Sequence, residues 1–110
     1  MTRGSDVAGS ASVFAALGDE TRLRLVARLC HDGPMSITRL ADGFEMSRQA
    51  ITKHLRVMED AGLVRSSWQG RESVWQLEQK RLAAARRHLQ AISTQWDETL
   101  ARLKNFVERV

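Results

Sequence analysis

Most of the chemistry legible in this chain sits in one short stretch: Ser47, Arg48 and Gln49, then Thr52, Lys53, His54 and Arg56, with no acid before Glu59. Within it Ile51, Leu55 and Met58 recur at i, i+4 and i+7. A helix starting at Ser47 therefore turns those three inward and leaves Arg48, Gln49, Thr52 and Lys53 outward, with Arg56 one turn further on. These are side chains that read duplex DNA. Arg and Gln make paired hydrogen bonds to guanine and adenine edges, Thr meets a thymine methyl, and Lys53 and Arg56 neutralise phosphates. Ser47 and Ser36 are each suited to cap a helix whose free N–H groups face phosphate oxygens, and Arg71, beside Gly70, is placed to reach a minor groove or its phosphates. Plainer roles stand beside these: serines that only cap, a solvated Arg71, and a His54 that is half-buried at the edge of the apolar stripe rather than on a phosphate.

Cys30 and His31 stand side by side and invite a second chemistry, as nucleophile and base, redox pair or metal ligands. Helix geometry argues against it, since adjacent residues diverge by about 100°. Cys30 also falls on an expected buried stripe of Leu23, Val26, Ala27 and Cys30, where a small apolar side chain is explanation enough. With one cysteine no intramolecular disulfide forms, which fits a reducing cytoplasm. No Gly-rich phosphate loop, paired carboxylates or Ser-His-Asp set appears, so neither an enzyme nor a cofactor is expected.

The elements that must position the Ser47 stretch are readable from periodicity. The 110 residues, with a net charge of +4, fit one integrated domain with a polyanionic partner. Residues 1–12 lack periodicity and read as a flexible tail without signal-peptide character; nothing approaches the roughly 20 apolar residues of a membrane span. A short helix is expected over Val13 to Leu17, a second from Asp19 to the Gly33-Pro34 break, a third from Ser36 with Ile37, Leu40, Ala41 and Phe44 inward, and a fourth from Ser47 to Gly62. Two β-prone segments around Gln69-Gly70-Arg71 make a two-stranded ribbon. The pattern is mainly α with a small β-wing, a winged helix-turn-helix over 13–78, followed by a long helix over 79–110.

That last helix carries Leu82, Leu89, Trp96, Leu103 and Val110 in one heptad position and Ala85, Ile92, Thr99 and Phe106 in its partner. About 30 residues at 1.5 Å each exceed the width of so small a core, so a second copy of the chain is expected to cover the row. Phe14, Leu82, Leu89, Ile92, Trp96, Leu103 and Phe106 are the expected dimer contacts.

From Phe14 onward the chain resembles the ArsR/SmtB-type bacterial regulators. The resemblance is carried by LGDETRLRLV over 17–26, SRQAITKHLRVMEDAGLV over 47–64 and GRESVWQL over 70–77. It implies a homodimeric repressor on a two-fold symmetric double-stranded DNA operator. In it Ser47, Arg48, Gln49, Thr52 and Lys53 face the groove, His54 lies near the backbone and Arg71 sits in the wing. The chain departs from the family's metal-sensing branches. Where one branch has C-V-C it reads Ser36-Ile37-Thr38, and where another pairs Asp and His on the last helix it has His88, with Asp97 and Glu98 more than two turns away. No metal or clear small-molecule ligand is implied. The competing reading is a winged helix kept as a protein-interaction module, though such a role gives no reason for Arg48, Lys53 and Arg56 on one helix.

Overall fold

The computed structural model describes residues 4–109. Five helices and three strands follow in the order α1 (Gly4–Leu17), α2 (Glu20–Asp32), β1 (Met35–Ser36), α3 (Ile37–Ala41), α4 (Arg48–Asp60), β2 (Val64–Gln69), β3 (Glu72–Leu77) and α5 (Gln79–Arg109). Side-chain caps set the starts of α2, α3 and α4. Asp19 accepts from the Arg22 N–H at 3.0 Å, Ser36 from Arg39 at 3.3 Å and Ser47 from Ala50 at 3.1 Å, each answering one of the N–H groups that a helix start leaves unpaired. Between β2 and β3 the chain reverses over Gly70 and Arg71, with Gly70 at φ 64°, a left-handed conformation that a Cβ would penalise.

The β-ribbon gains a third strand. Met35 and Ser36 pair antiparallel with Trp75 and Val74, giving the strand order β1-β3-β2. Two residues are too few to show an alternating pattern, which is why the sequence reads as two strands. Trp75 is thereby fully covered and joins Leu25, Leu40, Ile51, Leu55, Met58 and Leu63 in the core.

Two expectations about the N-terminal half are corrected. Residues 4–12 form helix rather than a tail: α1 starts at Gly4, packs along α5, and buries Ser10, Val13 and Ala16. Its small residues give little amphipathic signal. In α2 the buried stripe is Leu25, Val26 and Leu29, while Leu23 and Cys30 are exposed. The phase turns because two arginines tolerate the half-buried flank by donating to backbone carbonyls: Arg22 Nε to Ala16 at 2.6 Å, and Arg28 Nη1 to Leu40 at 3.0 Å and to Asp42. Their aliphatic stems cover apolar surface while the guanidinium groups satisfy carbonyls left open at the ends of α1 and α3.

The 31 residues of α5 extend to about 47 Å and give the molecule extents of 68 × 30 × 20 Å. Its radius of gyration is 18.4 Å, against about 13 Å for a compact chain of this length. Only the start of α5 packs on its own chain: Ala85 is buried and Leu82 half-buried. Beyond them the expected row is uncovered, with Trp96 62% and Phe106 68% exposed and Leu89, Ile92 and Leu103 open as well. Leu100 and Val107 extend that apolar surface, and Phe14 of α1 is also at the surface. Val110 lies outside the described residues.

Candidate nucleic-acid interface

Helix α4 is bracketed by the Ser47 cap and by Gly62, and its Ile51, Leu55 and Met58 are completely buried. That burial fixes the phase of the helix, so its opposite side is dictated as well. Arg48, Gln49, Lys53 and Arg56 are exposed along it. Among the described residues no acid answers Arg48 or Lys53, whereas Arg56 Nη1 lies 3.5 Å from Glu59 Oε1. Glu59 in turn accepts from the backbone N–H and hydroxyl of Ser66 at 3.2 and 2.9 Å, tying the end of α4 to the wing. Positive charge is therefore free at the start of α4 and partly answered at its end. Thr52 is half-buried and its hydroxyl donates to the Arg48 carbonyl at 2.8 Å, which leaves its methyl as the part open to a base.

Two residues of the expected row sit elsewhere. Ser36 is buried, at 8% exposure, with its Oγ taken up in capping α3. His54 points inward: its Nδ1 lies 3.4 Å from Arg22 Nη1 and 3.7 Å from Asp19 Oδ2, and its side chain is 25% exposed. Through Nδ1 it clips the middle of α4 to the start of α2. The Asp19 carboxyl at this clip is held below its ordinary value, chiefly by the Arg22 backbone N–H and further by the charges of Arg22 and His54.

At the far end of the ribbon Arg71 is exposed at the tip. Beside it stands a residue that the sequence argument passed over. Trp68 on β2 is 76% exposed and lies opposite Ser73, on the same face of the ribbon as Ser66 and Trp75. Strand alternation from Val64 places it on that core-side face, and only the outward reach of the wing leaves it in solvent. Trp68 and Arg71 give the wing an aromatic face and a cation within four residues of each other.

At the end of α2 the thiol departs from its expected place. Cys30 is exposed rather than a core filler. His31 bonds to Asp32 at 2.8 Å instead of turning to Cys30, and that bond lowers the Asp32 carboxyl below its ordinary value. Among the described residues no group of three or more His, Cys, Asp or Glu side chains gathers where a metal could be held.

A helix-turn-helix domain family matches residues 17–67, the span from the last residue of α1 into β2, the first strand of the wing. The chain is 41% identical over 76 residues to the HTH-type transcriptional regulator Rv2034 of Mycobacterium tuberculosis, covering 69% of this chain and 70% of that protein. An ArsR-like transcriptional regulator from Rhodococcus sp. RHA1 superposes with a TM-score of 0.77 at 39% identity, over 93% of this chain and 95% of that one. The chain belongs to the ArsR family of transcriptional regulators. It is also 31% identical over 64 residues to an arsenical resistance operon repressor of Bacillus subtilis, covering 58% of this chain and 61% of that protein. In the ArsR-family frame α3 and α4 are the helix-turn-helix, β2 and β3 the wing, and α5 the long C-terminal helix.

Proposed function

We infer that the protein is a homodimeric transcriptional repressor that binds a two-fold symmetric operator by laying α4 into the major groove. The observation that carries this reading is the row of Arg48, Gln49 and Lys53 on the exposed face of α4, with cations that no acid of the described residues answers. Arg48 and Gln49 read base edges near the N-terminus of α4, the Thr52 methyl packs on a thymine, and Lys53 and Arg56 hold phosphates, with the N–H groups at Ser47 alongside. Arg71 reaches into or beside the adjacent minor groove. The second half-site is supplied by a second copy covering the apolar row of α5 from Leu89 to Phe106. The activity is binding rather than catalysis, in the cytoplasm, where its DNA lies; among the described residues no helix is long and apolar enough to cross a membrane. The Ser36-Ile37-Thr38 stretch offers hydroxyls where the metal-sensing branch has thiolates, so repression is not routed through a metal there.

Fluorescence anisotropy of the purified protein on the DNA upstream of its own gene, against a scrambled duplex and across a salt series, tests the reading. A large specific-over-random ratio with a steep salt dependence is expected. Weak binding equal on both duplexes, repeated in a selection from genomic fragments, would replace it with the protein-interaction module.

A further inference from the structure

A cavity of about 510 Å³ opens where α1, the turn after α4 and the first turns of α5 meet. It lies at the opposite end of α4 from Arg48, and the 13 residues between place the two ends roughly 20 Å apart. Three cations line it, Lys80, Arg81 and Arg87, and the acid on its wall, Glu78, already lies 3.7 Å from Arg65. None of the three cations has an ion pair or hydrogen bond among the described residues. Ser10 lines the same cavity, is 4% exposed, and its Oγ finds no hydrogen-bond partner among the described residues. A buried hydroxyl is costly to leave unpaired.

The cavity is also shaped around one of its cations. A Cβ on Gly9 would stand 2.5 Å from Arg81 Nη1, and one on Gly62 would stand 3.0 Å from Arg81 Nε. The Arg81 guanidinium thus lies close against the backbone of α1 at Gly9 and of the turn at Gly62, whose φ of 78° itself calls for glycine. With Glu78 already beside Arg65, the three cations meet no free acid on the described wall, a surplus suited to the charge of roughly −1.5 to −2 that a phosphate monoester carries near neutral pH. A single carboxylate would answer only about a third of it. The volume lies within the range of roughly 300–1,000 Å³ usual for small-molecule sites.

We propose that this cavity is a binding site for a small phosphate-bearing molecule, held by Lys80, Arg81 and Arg87 with the Ser10 hydroxyl donating to it. The site goes beyond operator binding. Lys80, Ala84 and Arg87 face about 140° round α5 from Leu89, Ile92 and Trp96, so they stay open beside a second copy seated on the apolar row, while Arg81 lies about 50° from that row and bridges the two sides. The ligand would join α1 and α5 to the turn linking α4 with the wing. Any difference in its affinity between the DNA-bound and free forms would shift operator occupancy.

The test uses the full chain and inorganic phosphate as the probe. Amide NMR shifts are followed at constant ionic strength, with chloride making up the balance. Saturable shifts at Gly9, Ser10, Gly62 and Lys80 to Arg87 are expected. The double substitution Lys80→Gln and Arg87→Gln, two side chains at the surface, should weaken them at least about tenfold without changing the thermal melt. Ser10→Ala should weaken them less. In the absence of phosphate the double variant should bind operator within about twofold of wild type and with the same salt slope. Absence of saturation, or shifts centred on Arg48 to Lys53, would overturn the proposal. So would a lowered salt slope in the double variant, which would assign these cations to a backbone phosphate of the duplex.

Discussion

In α4 the apolar positions Ile51, Leu55 and Met58 are covered completely by their own chain, whereas in α5 Leu89, Ile92, Trp96 and Leu103 are between 49% and 62% exposed. Both helices have the same kind of stripe, and what differs is where the covering surface comes from. When the chain covers its own stripe, the polar face is left to act, and in α4 that face holds Arg48, Gln49 and Lys53. When the chain does not, the stripe itself is the working surface, and in α5 it awaits a second copy. In the proposed function the two faces depend on each other, since one α4 would read one half-site and the α5 pairing would supply the other.

The largest effect expected from breaking this arrangement is at the uncovered stripe. Trp96→Glu places a charge in the middle of the α5 row and should yield a monomer in analytical ultracentrifugation. Operator affinity should fall by about 10²–10⁴-fold as the linked second site is lost, while the helical content of each chain is kept. A Trp96→Glu protein that still sediments as a dimer would move the interface to another face. At the covered stripe the cost falls on folding instead. Leu55→Ala, at a completely buried position, should lower unfolding stability by about 2–5 kcal/mol in urea titration, and Trp96→Ala measured in the dissociated chain should lower it far less.

How much of this contrast could be read from residues alone follows from how many phases each pattern allowed. In α4 the Ser47 cap, the Gly62 stop and three well-spaced apolar residues admit one phase, and the exposed row follows from it. In α2 two phases fit, through Leu23, Val26 and Cys30 or through Leu25, Val26 and Leu29. The choice fell on Arg22 and Arg28, whose bonds to carbonyls of Ala16 and Leu40 no periodicity encodes. His54 had both a phosphate reading and a half-buried one, and the contacts that place its Nδ1 come from Asp19 and Arg22 of a segment distant in sequence. Ser36 was legible as a cap but not as buried, because the pairing of β1 with β3 covers it. Trp68 went unread because strand alternation puts it on the core-side face, and its exposure depends on how far the wing projects from the core. The cavity at Ser10 joins three elements distant in sequence, so no local spacing announced it.

Within α4 itself the exposed face is expected to divide into reading and holding residues. Arg48→Ala or Gln49→Ala should cost about 1–3 kcal/mol on the preferred operator and relax the preference at particular base positions, as scored by competition with single-base operator variants. Lys53→Gln should weaken all duplexes alike and reduce the salt slope by about one. If Gln49→Ala leaves every base preference unchanged, the reading face is turned away from Gln49.

The smallest effect expected is at the clip that orients α4, and it carries a pH signature. The Asp19 carboxyl sits below its ordinary value in the fold because the Arg22 N–H, and then the charges of Arg22 and His54, favour the ionised form. A carboxyl lowered by folding contributes stability that is fully present above its unfolded value near 3.8 and is lost as pH falls through the lower folded one. Acid unfolding followed by circular dichroism should therefore show a gentler loss in Asp19→Asn than in wild type below about pH 4, since the amide keeps a capping oxygen but does not titrate. The same substitution should remove the carboxylate that lies 3.7 Å from His54 Nδ1 and slightly loosen α4 against α2. That loosening should appear as faster amide exchange in the first turns of α4, while exchange along the outer half of α5, which no part of its own chain holds, stays as it was.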